Sequence, residues 1–386
     1  MAGQSYGGVS SFARTTARRI ASSRSPLRPW PTVFAALLLV GMTPLALLNF
    51  ATVQGTRDRL VELGVANLTS RSTSTTAAID AYIQNRRRDI ILVSQLPDVI
   101  AYAQNLNSPA QRDSARAALA AAASVSPAYE SIAVLSLDGV IQAASIQTDE
   151  GTNVRFRDYF QNARTGIAYV SDPSYSVITN RPALFFSAPV KTSTDILVGV
   201  VRSRLNLAQI WDLVEGDHAS VGPEAHAFLV DDFGIRLAVS ETKDNRDRAE
   251  SLIYRPIAPI DLETATRLAA DRRFGQKTAE QLVIDPLPEL KDVMDRLRPG
   301  EVASFAYRVG GVEQRAAAVK LETKPWVYVV AMPPGTYTNA LGGPTLALVL
   351  TAGLVLLLAA LLAGWVVRSI TGAADSQPTR SFDRVR

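Results

Sequence analysis

The sequence contains no cysteine and two histidines, His218 and His226, among its 386 residues. The lack of cysteine excludes disulfides, thiolate metal sites and a cysteine nucleophile, and it is compatible with either side of a membrane. Two histidines are too few for a histidine-based metal site. We therefore expect neither a metal nor another cofactor in this chain.

Catalytic signatures are also missing. The chain has no Gly-x-Ser-x-Gly, no His-Glu-x-x-His, no glycine-rich phosphate loop and no dinucleotide-binding fingerprint. The adjacent carboxylates Asp231 and Asp232 lie in a predicted turn, where turn chemistry explains them better than acid–base catalysis. The sequence therefore predicts that this chain is not an enzyme.

Charged residues are absent from two long segments. Residues 29–56 carry no charge, and within them residues 33–53 are predominantly apolar. Residues 346–367 are apolar and free of charge as well. Each run is long enough to cross a bilayer as a helix, which predicts transmembrane helices at 32–53 and 344–367. The alternative for the first run is a cleaved signal peptide; its length and the lack of a small-x-small cleavage site favour an uncleaved anchor.

The formal net charge of +4 is concentrated on the flanks of these two runs. The N-terminal tail holds five arginines and no acid, and the C-terminal tail holds four arginines and two aspartates. The positive-inside rule then places both termini in the cytoplasm and the roughly 290 residues between the runs outside. The sequence thus predicts a two-pass inner (plasma) membrane protein whose central part is periplasmic or extracellular. It predicts no nucleic-acid partner.

The central part begins with a long helical stretch, residues 56–96, without a proline until Pro97. Two groups of strand-like runs follow, and turn formers such as Asp138-Gly139 separate the runs. The first group comprises 129–136, 140–145, 183–190 and 196–205, with a helical turn at 158–163. The second comprises 226–230, 235–240, 302–309, 312–320 and 326–332, interrupted by a proline- and charge-rich insert at 241–299. Two similar groups in tandem indicate a duplicated sheet unit.

Arginines and aromatic residues are concentrated in residues 155–205. A guanidinium offers a planar pair of donors that matches a carboxylate, and aromatic rings supply rigid walls. In the last strand, alternation places Arg202 and Arg204 on one face together with Val198 and Val200. The candidate ligand-binding residues are Arg157, Tyr159, Tyr169, Asp172, Tyr175, Arg181 and Arg204. The alternative reading stays open: solvated arginines at strand ends, aromatic core residues and an Asp172 that caps a loop.

An ordered set of short motifs carries a family resemblance. It consists of Asp138-Gly139, Arg155–Phe160 with Ala163 and Gly166, Ser187–Val190, Gly199-Val200-Val201 and Pro325-Trp326. Over residues 54–334 the chain resembles the double Cache family of extracytoplasmic sensors. The resemblance implies an α+β fold with two PAS-like modules, built on antiparallel sheets, along a long N-terminal helix. It also implies a small ligand in the membrane-distal module, a homodimer, and a helix that transmits the signal inward.

The resemblance and the apolar runs together predict the domain boundaries. They are a disordered cytoplasmic tail at 1–31, a first transmembrane helix at 32–53, a stalk and dimerisation helix at 54–97, a distal module at 98–215, a proximal module at 216–335, a second transmembrane helix at 344–367 and a cytoplasmic tail at 368–386.

One branch of that family binds amino acids through an Arg-x-Trp-Tyr motif and a later acid. The matching positions here are Arg157, Tyr159 and Phe160, and Ser203 and Arg204 stand near the position of the acid. Loss of an acid and gain of a base argue against an ammonium group in the site. The hypothesis is an anionic ligand, such as a small carboxylate, held by Arg157 with help from Arg181 or Arg204.

The output of such a sensor is not encoded in the 18 residues after Arg368. One alternative is the sensor half of a histidine kinase, diguanylate cyclase or chemoreceptor whose output domain lies beyond this chain. Another is a receptor that signals through a separate cytoplasmic partner. A third is a structural or interaction protein of the envelope with no small ligand, which predicts a large exposed apolar patch.

Overall fold

The computed structural model describes residues 30–222, 224–240, 252–338 and 352–365. The chain divides into two compact units, one of residues 1–54 with 347–386 and one of residues 55–346. Where it is described, the first unit is helical. Both β-sheets and all of the candidate residues belong to the second unit.

Apart from the helical residues at 352–365, the α-helices with described ends lie before, within, between and after the two groups of strands. They are α1 (Trp30–Ser94), α2 (Pro97–Gln104), α3 (Pro109–Ala123), α4 (Asp158–Arg164), α5 (Ala208–Val221), α6 (Leu262–Ala270), α7 (Pro288–Met294) and α8 (Pro334–Thr338). Helix α1 ends at Ser94, three residues before Pro97, which confirms the helix expected over 56–96. Pro97 opens α2, because a proline is tolerated in the first turn of a helix, where its missing N–H is not needed.

The strands form two antiparallel sheets. The first contains β1 (Tyr129–Leu135), β2 (Ile141–Ala144), β3 (Tyr169–Val170), β4 (Ser174–Tyr175), β5 (Pro182–Lys191) and β6 (Leu197–Leu205). The second contains β7 (His226–Val230), β8 (Arg236–Val239), β9 (Val302–Val309), β10 (Val312–Lys320) and β11 (Val327–Met332). The strand orders are β2-β1-β6-β5-β3, with β4 beside β5, and β8-β7-β11-β10-β9. Apart from β4 the two orders are the same, which confirms the duplicated sheet unit.

A single apolar cluster joins α1 to one face of each sheet. It contains Ile83 and Ile90 of α1, Phe186 of the first sheet, and Leu229 and Tyr328 of the second. The opposite face of the second sheet is filled by apolar side chains of α7. The opposite face of the first sheet is covered by α4 and the loops around it, and this face carries the candidate site.

The α+β fold with an N-terminal helix and antiparallel sheets is therefore confirmed. Among the described residues, no helix combines the length and the hydropathy that crossing a membrane requires. The transmembrane helices expected at 32–53 and 344–367 stay a prediction, and residues 344–351 and 366–367 of the second lie outside the described ranges. So do the two expected tails, apart from Trp30 and Pro31. The domain boundaries also stay a prediction.

Candidate functional site

Arg157 lies at the N-terminal end of α4, in an extended conformation that ends the preceding loop. It is 2% exposed. Its Nη2 donates to the carbonyl oxygen of Tyr175 at 2.6 Å, and its Nη1 donates to the carbonyl oxygen of Asp271 at 2.6 Å and to Oγ of Ser174 at 3.4 Å. Its guanidinium carbon lies 5.8 Å from the ring centre of Phe185. Arg157 is therefore a buried arginine beside an aromatic ring, and its role in binding a ligand stays a prediction.

Arg157 takes part in no ion pair within 4 Å in the described part of the chain, although the carboxylates of Asp158 and Asp271 are near enough to favour its charged form. Removal of water from around a guanidinium disfavours its charged form, and burial lowers the pKa of Arg157 below its ordinary value. Nε of the same side chain has no hydrogen-bond partner among the described residues. A buried cation with a donor to spare is a site where an anion would be favoured.

Tyr159 forms a wall of this region. Its ring stacks on that of Phe185 with 4.7 Å between the ring centres, and Oγ of Ser187 donates to its carbonyl oxygen at 2.7 Å. Phe185 and Ser187 are two residues apart in β5, so their side chains point to the same face of the sheet. Both contact Tyr159 and hold the first turn of α4 in place. Burial raises the pKa of the Tyr159 hydroxyl, so the group stays a neutral donor and acceptor.

Arg204 lies on the same sheet face, as alternation along β6 predicted, but its charge is already paired. Its Nε donates to Glu130 at 3.0 Å and its Nη1 donates to Oδ2 of Asp149 at 3.1 Å. The same Oδ2 accepts from Nη2 of Arg202 at 2.9 Å and from Oγ of Ser131 at 2.6 Å. Burial by itself raises the pKa of Asp149, but Arg202, Ser131 and Arg204 outweigh it and the net shift is downward. The guanidinium of Arg204 is therefore occupied by Glu130 and Asp149, which argues against the hypothesis that it helps Arg157 to hold a ligand.

Asp172 connects the first sheet to the second. Its Oδ1 accepts from the indole Nε1 of Trp326 at 2.8 Å and pairs with Nζ of Lys324 at 2.9 Å. Its Oδ2 accepts from Nη1 of Arg273 at 2.9 Å. Burial opposes the charged form of Asp172, but Arg273 and Lys324 lower its pKa to about 2. Asp172 is thus an anchor that is charged at neutral pH, and its side chain bonds to distant residues and not to its own loop.

Arg273 bridges Asp172 to a second carboxylate, that of Asp231 in the turn between β7 and β8. The other oxygen of Asp231 accepts from the amides of Phe233 and Ile235, at 3.0 and 2.8 Å, which is the turn chemistry expected from the sequence. Burial raises the pKa of Asp231 to about 7, although Arg273 acts in the opposite direction. Two carboxylates that share one buried guanidinium make this junction sensitive to protons.

In the sequence, Tyr169 precedes Asp172 and Tyr175 follows it. The hydroxyl of Tyr169 donates to Oδ2 of Asp158 at 3.3 Å, and Nζ of Lys324 lies 5.6 Å from the Tyr169 ring centre. The backbone amide of Tyr175 donates to the carbonyl of Arg272 at 2.9 Å, and its ring centre lies 5.4 Å from that of Tyr254. Both tyrosines therefore contact the segments that hold Arg157 and Asp172.

Arg181 lies apart from these residues. Its side chain is exposed, and its carbonyl oxygen closes a turn with the amide of Ser176 at 2.9 Å. The structure brings Arg157, Tyr159, Tyr169, Asp172 and Tyr175 together around the start of α4. It pairs Arg204 elsewhere on the same face and leaves Arg181 in solvent.

Sequence reasoning missed four charged residues that organise the site, Asp149, Arg202, Arg273 and Lys324. Alternation did place Arg202 beside Arg204, so a search for a shared carboxylate could have identified the pair. Arg273 and Lys324 offered no such signal, because they reach Asp172 from 101 and 152 residues away.

Comparisons with known proteins agree with this architecture. The family model of the Cache domain, in its double form, matches residues 61–341. The sensor domain of the V. cholerae histidine kinase DctB superposes with a TM-score of 0.53 at 14% identity, over 70% of this chain and 96% of that one. The sensory domain of the Campylobacter jejuni chemoreceptor Tlp3 with isoleucine bound gives 0.50 at 13% identity, over 74% and 98%. No curated protein matches the chain in sequence.

Proposed function

Because this chain belongs to the double Cache family of sensor domains, we propose that it is a receptor of the bacterial inner membrane. Its first sheet binds a small carboxylate at Arg157 from the extracytoplasmic side, and ligand binding alters the arrangement of two membrane-spanning helices. A ligand can do this only by binding one arrangement more tightly than the other.

The observation that carries the proposal is the environment of Arg157. The guanidinium is 2% exposed, its two terminal nitrogens each donate to a carbonyl oxygen at 2.6 Å, and among the described residues no carboxylate forms a direct ion pair with it. A ligand carboxylate would present two oxygens to the same pair of N–H groups and add the missing negative charge. The aromatic rings of Tyr159 and Phe185 would enclose the rest of a small solute.

A specific observation keeps amino acids as a second ligand class. Asp158 follows Arg157 in the sequence, and its Oδ2 accepts a hydrogen bond of 3.3 Å from the Tyr169 hydroxyl. Burial raises the pKa of Asp158, and the carboxylates of Asp172 and Asp271 add to the rise while Arg273 opposes it. An ammonium group at this position would offset that cost. The Tlp3 sensory domain, which shares the fold, was solved with isoleucine bound.

Membrane anchoring and topology rest on the sequence. The charge-free runs at 33–53 and 346–367 and the arginines beyond them support two spans with both termini in the cytoplasm. Residues 54–97 form the dimer contact in this proposal, and the output domain is a continuation of the chain or a separate cytoplasmic partner. Protease digestion of intact spheroplasts tests the topology: cleavage of the 129–332 region from the periplasmic side is expected, and protection of that region would contradict it.

The ligand proposal is tested with the full chain in nanodiscs. Calorimetric titration with acetate, succinate, glutarate, L-alanine and L-isoleucine is the measurement. Arg157→Lys keeps a charge but loses the planar pair of donors, so we expect affinity to fall by about tenfold or more. Arg181→Ala, on an exposed residue, is the matched control and should bind as the parent does. Unaltered binding by Arg157→Lys, or no binding of any carboxylate or amino acid by the parent, would contradict the proposal.

A further inference from the structure

A segment that connects two strands of the second sheet contacts Arg157. Residues 262–275, which comprise α6 and the turns after it, lie in the connection between β8 and β9; we call them the strap. The strap contacts the site by hydrogen bonds from Arg157 to the Asp271 carbonyl and from the Tyr175 amide to the Arg272 carbonyl. A Cβ atom on Gly275 would come within 3.2 Å of the Tyr175 ring. The strap therefore closes directly onto the candidate site.

The strap supplies the kind of atom that a ligand would supply. Nη1 of Arg157 donates to the Asp271 carbonyl and Nη2 donates to the Tyr175 carbonyl, both at 2.6 Å. A bidentate carboxylate uses two N–H groups of one guanidinium in the same way. One oxygen of this pair comes from the first sheet itself, whereas the other comes from a segment that connects two strands of the second sheet.

From this geometry we infer that the strap is an internal competitor for the ligand. The Asp271 carbonyl oxygen takes the place of one carboxylate oxygen on Arg157, and a carboxylate must displace the strap in order to bind. This inference deepens the proposed function and rests on it. Displacement is the step that reports ligand binding to the second sheet.

The strap contains both an ion-paired residue that anchors it and a neighbouring residue with a strained backbone. Arg273 fastens it to Asp172 of the first sheet at 2.9 Å and to Asp231 in the β7–β8 turn of the second. Arg272, between Asp271 and Arg273, adopts a φ of +58°, which is unfavourable for a residue with a side chain. The docked strap thus combines a strong anchor with local backbone strain, an arrangement that can release when a better partner for Arg157 arrives.

Two variants shift the balance in opposite directions. Asp231→Asn removes one of the two carboxylates that hold Arg273 but keeps an amide oxygen for the Phe233 and Ile235 amides, so the turn should persist. Arg272→Asn favours the docked strap, because asparagine tolerates a positive φ better than arginine. If docking competes with binding, the apparent Kd falls in the first variant and rises in the second, each by roughly three- to tenfold.

The measurements are titration with acetate, succinate and glutarate, and hydrogen exchange of peptides that cover residues 262–275, both on the full chain in nanodiscs. We expect each carboxylate that binds to accelerate exchange in the strap.

The outcomes separate the two proposals. A carboxylate that binds the parent while strap exchange and the Kd of both variants stay unchanged would overturn the competitor role and leave the receptor proposal standing. A weaker Kd in Asp231→Asn would also overturn it, since the strap would then be a lid that helps to hold the ligand. No binding by either protein would remove the proposed function, and the inference with it.

Discussion

The carboxylate of Asp80, on helix α1, accepts a hydrogen bond of 2.9 Å from the backbone amide of Thr323, 243 residues further along the chain. It also accepts from the amide of Glu322 at 3.0 Å and from Oγ1 of Thr323 at 2.5 Å. The next residue, Lys324, pairs with Asp172. One turn between β10 and β11 thus links the long helix to the junction beside the candidate site.

Asp80→Ala should destabilise the protein. The substitution leaves the amides of Glu322 and Thr323 without their buried acceptor, and hydrogen bonds to a charged acceptor contribute more than neutral ones. We expect the free energy of unfolding to fall by about 2–3 kcal/mol in urea denaturation. Asp113→Ala, which removes an exposed carboxylate from an i,i+3 pair with Arg116, is the control and should change it by less than about 0.5 kcal/mol. Equal losses in the two variants would contradict this account.

Asp149 is the charge that allows two arginines to be buried. Its Oδ2 accepts from Arg202 and Arg204, whose side chains are 1% and 3% exposed. Asp149→Asn should lower the free energy of unfolding by about 3–5 kcal/mol, because it leaves the buried Arg202 without a counterion and Arg204 with Glu130 alone. Glu130, the other partner of Arg204, has a side chain that is 22% exposed. Glu130→Gln should therefore lower the free energy of unfolding by less than about 1 kcal/mol. Thermal or urea unfolding measures both, and a smaller loss in the Asp149 variant would refute the assignment.

Stability should depend on pH through Asp231. Its folded-state pKa of about 7 lies above the value of 3.8 for an unperturbed aspartate, so the folded protein binds a proton more tightly than the unfolded one. The stabilisation is complete below pH about 4 and is lost as the pH rises through about 7. We expect the free energy of unfolding to decrease between these values and Asp231→Asn to reduce the decrease, because burial also raises the pKa of Asp158, Asp232 and Asp271.

Asp172 acts in the opposite direction and in another range of pH. Its folded pKa of about 2 lies below 3.8, so its stabilisation is complete above about pH 4 and is lost as the pH falls through about 2. A pH series of urea denaturation curves separates the two groups. If the Asp231→Asn protein lost as much stability between pH 4 and 7 as the parent, Asp231 would not be the group responsible.

Gly139 ends the β1–β2 turn where the loop that carries Arg155 and Arg157 returns to the sheet. Its φ is +83°, and a Cβ there would lie 2.6 Å from the Cα of Arg155. Gly151 has a φ of +81° but nothing within 4 Å of such a Cβ. Gly151→Ala should therefore cost about 1–2 kcal/mol for its backbone alone, and Gly139→Ala distinctly more. Equal stability of the two variants in urea would show that the close approach to Arg155 is unimportant.

The sequence was informative where structure depends on neighbours along the chain. The hairpin at Asp138-Gly139, the repeated order of strands and the long helix up to Pro97 follow from local patterns, and each is observed. Alternation placed Arg202 and Arg204 on one face of β6 because the geometry of a strand fixes that direction.

Local patterns were insufficient where distant segments meet. Strands β3 and β4 have two residues each, too few for a periodic signal, and α6 lies inside a segment that reads as an irregular insert. The partners of Asp172 are distant in the sequence, so its role as an anchor could not be predicted. Arg204 was expected to hold a ligand, but it pairs with Asp149 instead. That pairing depends on a short turn of helix at Gln147–Asp149, which no sequence pattern predicted.

The apolar cluster that α1 shares with both sheets has a thermodynamic consequence. Side chains such as Ile83, Phe186 and Tyr328 belong to the same buried core, so neither sheet can lose its packing without exposing surface of the other. Differential scanning calorimetry should then record one cooperative heat-absorption peak for residues 55–346 in place of two separate ones.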